Sequence, residues 1–387
     1  MSHAPANRVI KVLYITSGLR SGGAESALLR LLERAALGGC APCVISLHDE
    51  GKYGSELARR GIPLYCLRLN RPSSLVTGLV RLFLIARRFR PDVIQGWMYH
   101  GNVAALLSRM FVPGSPKIIW GVRANLQSLS TDRPLTRLTI RIGALLSGLV
   151  DLIIYVSRGA EELHTRLGYC GRRVLVIPNG FDVKRFTPPS AVERMRSRVT
   201  LGFEPTRILC VHIARFHPVK DHVTFLNAAA IVAMRNPDVR FALAGGGVTL
   251  ENPQLAKMIR ELKLSEKIKL LGELPDCLDL LRAADFVCLS SRSEAFPNVI
   301  GEAMAMGLPC VSTDVGDVKE IVGDTGILTT PGDPHELAEA LLRMASIPAD
   351  ERMSMGARAR YRVVRRYQID DTARAYWRAY HTLLTNV

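Results

Sequence analysis

The chain contains 387 residues, of which 48% are hydrophobic and 22% are charged, and these proportions exclude a fibrous repeat and a largely disordered protein. The length favours two domains. Of the formal net charge of +16, most lies in residues 1–180, which hold 24 Lys and Arg against 10 Asp and Glu; residues 181–387 hold 27 against 25. This asymmetry predicts an anionic partner for the first half, such as a nucleic acid, a membrane leaflet or a phosphorylated acceptor; the alternative is solubility alone.

In the first half, short apolar runs alternate with longer segments of helical period. Strands are predicted at residues 9–16, 43–47, 64–67, 93–95, 117–121, 152–156 and 174–177, and helices include residues 24–36 and 73–89. Because parallel strands need a crossover of a dozen or more residues, this alternation predicts a parallel sheet covered on both faces. Residues 138–156 are the nearest candidate for a membrane span, but Arg141 and Asp151 interrupt them, so we expect a buried helix and a strand.

A turn sequence at residues 177–182 and a linker at 187–189 precede a second series of the same kind. Its strands are predicted at residues 207–213, 239–244, 268–271, 286–289 and 310–313, with helices that include 219–234 and 299–306 and further helical patterns from 334 to about 384. The whole pattern predicts two doubly wound α/β domains with a cleft between them. Ligands of open parallel sheets bind beyond the carboxyl ends of the strands.

Gly22 and Gly23 follow the first predicted strand and precede a helix. Paired glycines at such a junction let the backbone approach a ligand and present helix N-terminal amides to an anion. The sequence matches neither G-x-G-x-x-G nor a Walker motif, which argues against a dinucleotide or P-loop site. A tight turn without a ligand is the alternative. A second glycine turn at Gly245 and Gly246 follows a strand of the second half.

Charged residues follow two further strands of the second half. Arg215 and Lys220 come after the strand at 207–213, and two converging cations suit a diphosphate whose departing charge they stabilise. Glu294 and Glu302 stand eight positions apart, and Asn298 lies one helical turn before Glu302. Carboxylates there can hold vicinal hydroxyls, and free helix amides can receive a phosphate or sugar oxygen. The alternative is that none of these residues binds a ligand: the two cations and Glu302 would be solvated, and Asn298 would cap the helix.

The stretch from Arg215 to Glu302 resembles the nucleotide-binding half of retaining GT-B glycosyltransferases of the family 4 type, whose pattern is two glutamates separated by seven residues. The first half resembles the same family through Gly22 and Gly23, through His100, and through the turn at 177–180.

The resemblance implies the GT-B fold, which consists of two doubly wound Rossmann-like domains facing a cleft. An acceptor-binding domain is expected at residues 1–185 and a nucleotide-sugar-binding domain at 190–365. A C-terminal helix at 366–387 is expected to pack back on the first domain.

The resemblance also implies roles for individual residues. Catalytic roles are implied for His100, Arg215, Lys220 and Glu294. Donor-binding roles are implied for Gly22, Gly23, Gly245, Gly246, Phe296, Pro297, Asn298, Val299 and Glu302. Arg215 and Lys220 would bind the pyrophosphate, Glu302 the ribose and Glu294 the donor sugar. His100 would lie beside that sugar, although a lone histidine can also be structural. Arg123 is a candidate contact for the acceptor.

The implied reaction moves a sugar from a UDP- or GDP-type donor to an acceptor hydroxyl with retention of configuration. No Asp-x-Asp occurs, so Arg215 and Lys220 are expected to replace a divalent cation, and neither a metal nor a cofactor is expected. A covalent route would need a carboxylate close to the anomeric carbon, and the sequence nominates none. A front-face attack, in which the departing phosphate takes the acceptor proton, suits a positively charged site.

Basic residues also accompany apolar positions in two predicted helices of the first half. The first set is Arg81, Arg87, Arg88 and Arg90 with Leu79, Leu82, Phe83 and Ile85; the second is Arg133, Arg137 and Arg141 with Leu138 and Ile142. This pattern suits helices that rest on an anionic leaflet, and the alternative is a solvated helix whose apolar side is core. We expect peripheral attachment to the inner face of the cell membrane and a saccharide or lipid-linked acceptor. The run at 97–100 resembles family members that build bacterial surface polysaccharides, and this resemblance implies a pathway for lipopolysaccharide, capsule or exopolysaccharide.

Two other functions stay open. The basic composition favours a nucleic-acid-binding protein, but zinc spacing, an aromatic RNA-binding box and a basic heptad helix are missing from the sequence, so no nucleic acid is expected as partner. An epimerase of the same fold would convert a labelled nucleotide sugar without acceptor, whereas a transferase would at most hydrolyse it slowly. The first residues lack the apolar stretch of a secretory signal, which predicts a cytoplasmic protein.

Overall fold

The computed structural model describes residues 9–20, 22–69, 74–126 and 134–385. The chain divides into two compact units, of which the first comprises residues 1–180 and 369–387 and the second residues 181–368. The chain therefore leaves the first unit after Gly180 and returns to it at Ile369.

The first unit is built on a parallel sheet. Its strands are β1 (Ile10–Thr16), β2 (Cys40–Ser46), β3 (Leu64–Cys66), β4 (Val93–Trp97), β5 (Lys117–Val122), β6 (Leu152–Tyr155) and β7 (Val174–Val176). They lie in the order β3-β2-β1-β4-β5-β6-β7, and every pairing is parallel. The connecting helices are α1 (Gly23–Leu32), α2 (Gly54–Arg59), α3 (Leu75–Phe89), α4 (Met98–Ser108), α5 (Pro134–Leu146) and α6 (Arg158–Arg166). The central strands are buried on both faces, which explains their continuous apolar runs.

The second unit repeats this architecture. Its strands are β8 (Ile208–Ile213), β9 (Val239–Ala244), β10 (Ile268–Leu270), β11 (Phe286–Leu289), β12 (Cys310–Thr313) and β13 (Gly326–Thr329), in the parallel order β10-β9-β8-β11-β12-β13. Its helices are α7 (Ala191–Leu201), α8 (His222–Arg235), α9 (Pro253–Glu261), α10 (Leu278–Ala283), α11 (Asn298–Ala305), α12 (Val318–Val322), α13 (Pro334–Ser346) and α14 (Ala349–Arg366). Ser190 and Glu193 form a capping box at the start of α7, and Gly202 ends that helix in the left-handed conformation.

The last helix, α15 (Ile369–Thr385), belongs to the first unit. It buries Tyr376, Trp377 and Tyr380 in that unit's core. The Tyr380 hydroxyl donates to Oε1 of Gln95 on β4 and lies 3.0 Å from the hydroxyl of Tyr14 on β1. A fully buried large side chain contributes roughly 1.5–3 kcal/mol, so α15 is an integral part of this core.

The observed elements confirm the predicted fold class, a two-domain α/β protein with two doubly wound parallel sheets and a C-terminal helix on the first domain. The segment interrupted by Arg141 and Asp151 forms the end of α5, a 3₁₀ turn and then β6, so the predicted helix and strand are both present. The expectation that this helix is buried is wrong, because Leu138, Ile142 and Leu145 are exposed on its outer face. Strand β13 was not predicted, because it has four residues at a sheet edge and begins with glycine. Within the described ranges, no helix combines the length and apolar character needed to cross a bilayer.

Candidate active site

Each sheet reverses its strand order at one strand, and the predicted site residues follow the strands at these points. In the first sheet β1 lies between β2 and β4, and in the second β8 lies between β9 and β11. The glycine pair follows β1 and His100 follows β4, whereas Arg215 follows β8 and Glu294 follows β11. Ligands of open parallel sheets bind at such switch points, beyond the carboxyl ends of the strands.

In the first unit, the glycine pair begins α1. Gly22 is the N-cap and Gly23 is the first helical residue. A Cβ atom on Gly22 would lie 2.2 Å from Oε2 of Glu25, so the Glu25 carboxylate folds over the glycine at the positive end of the helix. The Trp97 indole donates from Nε1 to the carbonyl oxygen of Ala24 at 2.8 Å. This bond fixes the start of α1 to the end of β4.

Helix α4 lies unusually close to the sheet at its start. A Cβ atom on Gly101 would lie 2.2 Å from the carbonyl oxygen of Ile15, and one on Gly96 would lie 2.4 Å from Cα of Asn102. The Asn102 side chain both accepts from and donates to the backbone of β5. Met98 takes a left-handed conformation with φ 65°, which side-chain-bearing residues adopt at a cost of about 1–3 kcal/mol. The two glycines and the strained turn together place the next residues at the sheet edge.

His100 lies in the first turn of α4 and is half-buried. Burial lowers the pKa of its imidazole, and the charge of nearby His48 lowers it further. The ring is therefore neutral at pH 7, and it can donate one hydrogen bond and accept another.

Arg123 follows β5 and is held by three groups of the first unit. Its guanidinium donates to Oδ1 of Asn179 and to the hydroxyl of Tyr376 on α15. Its Cζ atom lies 4.1 Å from the centre of the Trp97 ring, a cation–π contact.

In the second unit, Arg215 is exposed just past the end of β8. Among the described residues, none forms a hydrogen bond or an ion pair with its guanidinium. The glycine turn after β9 lies against the same backbone: a Cβ atom on Gly245 would lie 2.2 Å from the carbonyl oxygen of Ala214, and Gly245 has φ 145°. Phe216 donates its backbone N–H to the Gly246 carbonyl at 2.8 Å. Only glycine can lie so close to the backbone of Ala214 and Arg215. The glycine turn is therefore next to Arg215.

Lys220 and Glu294 form an ion pair between Nζ and Oε1, although they follow different strands. Their side chains are 24% and 11% exposed, so the pair is largely shielded from water. The Ser291 hydroxyl donates to the same carboxylate oxygen at 2.7 Å. The two predicted catalytic groups are therefore brought together.

Sequence reasoning missed the residues that hold these two loops. The Ser290 hydroxyl accepts from Nε2 of His212 and donates to the carbonyl oxygens of Lys220 and Asp221, at 3.0 and 3.2 Å. Arg292 donates from Nε to Oδ2 of Asp221 at 2.8 Å. Burial, and then the neighbouring His222 and Lys220, lowers the pKa of His212 well below its usual range, so its ring is neutral. In the sequence, the signal for these contacts was the pair of hydroxyl residues directly after β11, Ser290 and Ser291.

The helix α11 supplies the remaining predicted donor residues. Its N-cap is Pro297, so Asn298 is the first helical residue rather than the cap, and Glu302 lies one turn later. Asn298, Val299 and Glu302 are half-buried, whereas Phe296 and Pro297 are buried. A Cβ atom on Gly301 would overlap the Phe181 ring, which therefore rests on the backbone of this helix. No group of three or more His, Cys, Asp or Glu side chains that could hold a metal ion occurs in the described part of the chain.

Two family models match the chain over most of its length. Residues 21–185 match Glycosyltransferase Family 4, and residues 207–346 match Glycosyl transferases group 1. The chain belongs to the GT-B glycosyltransferases of the group 1 and family 4 type.

Curated relatives match this glycosyltransferase at moderate identity. A D-inositol 3-phosphate glycosyltransferase of Corynebacterium urealyticum is 30% identical over 60% of this chain and 57% of its own length. An N-acetyl-alpha-D-glucosaminyl L-malate synthase of Bacillus anthracis is 29% identical over 47% of this chain and 48% of its own length. The chain thus spans about half the length of the curated relatives it matches.

Solved structures share the fold over nearly the whole chain. Anabaena HepE, in complex with UDP and glucose, has a TM-score of 0.85 and 21% identity, covering 96% of this glycosyltransferase and 100% of that chain. Sucrose-phosphate synthase from Thermosynechococcus elongatus has a TM-score of 0.83 and 17% identity, with 98% and 100% coverage. At these identities the likeness establishes the fold.

Proposed function

We propose that this glycosyltransferase moves a sugar from a UDP- or GDP-type donor to a saccharide or lipid-linked acceptor, with retention of the anomeric configuration. One observation carries the proposal: at the switch point of the second sheet, Arg215 and Lys220 follow β8, and Lys220 is ion-paired with Glu294, which follows β11. Cations at this place suit a diphosphate, and a carboxylate beside them suits sugar hydroxyls.

The cations supply the charge that a leaving diphosphate needs. As the bond from the anomeric carbon to the phosphate oxygen breaks, negative charge gathers on the diphosphate. Arg215 offers an exposed guanidinium, and Lys220 offers an ammonium held in place by the bonds around its loop. Fixed cations stabilise such charge in the way that a divalent ion does, and we propose that the reaction needs no metal.

The sugar side of the donor is assigned to the neighbouring groups. Glu302 on α11 holds the ribose hydroxyls, and Glu294 with the backbone at the start of α11 meets the transferred sugar and its phosphate. For the first unit, we propose a donor-binding role for Gly23 at the start of α1 and for the neutral ring of His100, as the family resemblance implies. These roles agree with the chemistry of each group: carboxylates accept from hydroxyls, and amides at a helix N-terminus donate to phosphate oxygens.

Retention is proposed to occur by attack on the front face of the donor. The acceptor oxygen bonds to the anomeric carbon while the bond from that carbon to the phosphate oxygen breaks. The departing phosphate oxygen takes the proton of the acceptor hydroxyl. Lys220 and Ser291 both engage Oε1 of Glu294, which makes this carboxylate a poor nucleophile for a covalent route. UDP and glucose in the HepE complex, and the glycosyl transfers named for the curated relatives, support a nucleotide-sugar donor.

We further propose that the first unit rests on an anionic membrane through one face. On α5, four apolar side chains lie on one stripe and are 37–84% exposed: Leu135, Leu138, Ile142 and Leu145. On α3, the exposed apolar residues are Leu75, Val76, Val80 and Leu84, whereas Leu82 is buried in the core. Exposed arginines flank both stripes: Arg81, Arg87, Arg88 and Arg90 on α3 or directly after it, and Arg137 and Arg141 on α5. Arg133 lies outside the described residues.

This face combines apolar and cationic groups as an interfacial surface does. A short 3₁₀ turn after α4 packs against α3, because Phe111 stacks on Phe83 of α3 with ring centres 3.6 Å apart. Met110 in the same turn is 78% exposed and adds to the exposed apolar surface. Attachment at the inner face of the cell membrane would present a lipid-linked acceptor, and we propose a role in bacterial surface polysaccharide synthesis.

A panel of UDP-, GDP- and ADP-sugars tests the donor proposal by thermal shift. A ligand at 100 times its dissociation constant adds about 2.7 kcal/mol of stability, which raises the melting temperature measurably. We expect a UDP- or GDP-sugar to stabilise the wild type and to lose that effect in Arg215→Ala. If no nucleotide sugar shifts the melting temperature, the proposed function is wrong.

Vesicle sedimentation tests the membrane proposal. We expect binding to phosphatidylglycerol vesicles and not to phosphatidylcholine vesicles, with roughly fivefold weaker binding for each of Arg137→Gln and Arg141→Gln. Leu138→Ser should weaken binding as well, whereas Arg59→Gln on α2 serves as a control for the loss of an exposed charge. Equal binding to both lipids, or tighter binding to random duplex DNA, would contradict the proposal.

A further inference from the structure

Arg123 connects three parts of the first unit that are far apart in the sequence. Its guanidinium donates to Asn179, donates to Tyr376, and lies over the ring of Trp97. The planar guanidinium is suited to this arrangement, since it can stack on an aromatic face while its N–H groups donate at the edge.

On one side, this arrangement reaches the glycine loop. Trp97 is fully buried, and its indole N–H holds the Ala24 carbonyl in the first turn of α1. Trp97 also directly precedes Met98, whose strained backbone sets the direction of α4 and of His100. A shift of the Trp97 ring would therefore move the starts of both α1 and α4.

On the other side, the arrangement reaches the chain segments at the unit's boundary. Asn179 directly precedes Gly180, the last residue before the chain leaves the unit. Thr372 on α15 donates to the Pro178 carbonyl at 3.3 Å, and a Cβ atom on Gly180 would lie 2.5 Å from Cα of Ile369. The departing segment and the returning helix are thus packed together where Arg123 holds them.

We propose that Arg123 is a positioning residue: it transmits the docking of α15 and of the Asn179 segment to the Trp97 ring, and so sets the glycine loop and the start of α4. The inference rests on the proposed function only for its kinetic test. This role differs from the direct contact with the acceptor that the sequence analysis considered. Here Arg123 acts through Trp97 on the starts of α1 and α4, where the proposed donor-binding residues lie.

Hydrogen exchange tests the proposal without any ligand. Arg123→Lys keeps the charge but cannot make both hydrogen bonds and the stacked contact. We expect amides of α1 and of the first turns of α4 to exchange about tenfold faster in Arg123→Lys, with β8 and β9 of the second unit unchanged. Arg378→Lys is the matched control, since Arg378 is an exposed arginine on α15, the helix that carries Tyr376. Wild-type exchange rates in α1 and α4 of Arg123→Lys would overturn the proposal.

Kinetics with the nucleotide sugar that gives the largest thermal shift provide the second readout. We expect both Arg123→Lys and Tyr376→Phe to raise the KM for the donor, with the larger increase for Arg123→Lys. The KM for the acceptor should stay unchanged in both variants. A raised acceptor KM with an unchanged donor KM would show a direct acceptor contact and overturn the proposal. If no nucleotide sugar binds, the proposed function fails, and the exchange experiment still decides the role of Arg123.

Discussion

The ammonium of Lys220 is ion-paired with the carboxylate of Glu294, two residues 74 positions apart that follow neighbouring strands of the second sheet. A diphosphate that binds Lys220 must therefore share it with Glu294. Lys220 should therefore strengthen the binding of an anionic ligand, and Glu294 should weaken it.

Substitution of the pair should affect nucleotide binding with opposite signs. Lys220→Met removes a charge-assisted bond, and UDP or GDP should bind about 10- to 100-fold more weakly in calorimetry. Glu294→Gln leaves the ammonium to the ligand, so the nucleoside diphosphate should bind at least as tightly as in the wild type while turnover of the nucleotide sugar falls. Lys257→Met, in the exposed pair with Glu261, is the control. Weaker binding of the diphosphate to Glu294→Gln would refute the competition.

Gly101 is required by the close approach of α4 to β1. In Gly101→Ala the new Cβ atom would meet the Ile15 carbonyl oxygen at 2.2 Å, and displacing the helix should cost about 1–3 kcal/mol in urea unfolding. Gly148→Ala is the matched control, since the nearest atom would lie at 3.6 Å. Equal stability of the two variants would show that α4 can shift freely.

Buried neutral histidines should make stability depend on pH. Burial lowers the pKa of His164 to about 4, partly offset by its hydrogen bond to the Ala160 carbonyl, and burial lowers that of His222 to about 4 as well. Below pH 6.5 the unfolded chain binds protons that the folded chain excludes. Each histidine therefore lowers the free energy of unfolding by up to about 1.4 kcal/mol per pH unit as the pH falls from 6.5 toward 4.

The measurement is urea unfolding at pH 7, 6 and 5. We expect a loss of stability at each step down and a shallower dependence in His164→Gln, which lacks one of the titrating groups. A dependence in His164→Gln as steep as that of the wild type would mean that His164 does not contribute.

Asp285 is a single carboxylate among three arginines. It accepts from Arg194 at 2.7 Å and from Arg198 at 2.6 Å, and Arg352 lies 3.6 Å away. Asp285→Asn leaves the buried Arg198 without its counter-charge, and we expect a loss of about 3–5 kcal/mol in the free energy of unfolding. Asp279→Asn removes an exposed pair with Arg282 and should cost at most about 1 kcal/mol. Similar losses in both variants would argue against the buried cluster.

The sequence predicted most of the fold because parallel strands buried on both faces leave continuous apolar runs. It also predicted that Arg215, Glu294 and His100 follow strands, and the structure places them after β8, β11 and β4. Strand ends are where parallel sheets bind ligands, so their role in a site stays a prediction. The supporting contacts could not be predicted: Ser290 meets His212 across 78 positions, and Arg123 meets Tyr376 across 253. Such pairs depend on strand order and on the return of the last helix, which no local pattern encodes.

The turnover of the best-bound nucleotide sugar in the presence of EDTA is the most direct test of the proposed chemistry. If fixed cations stabilise the leaving diphosphate, the wild type keeps its rate in EDTA, and Arg215→Ala combined with Lys220→Ala loses it. A double variant as active as the wild type, or a wild-type rate that disappears on chelation and returns with manganese, would contradict the account.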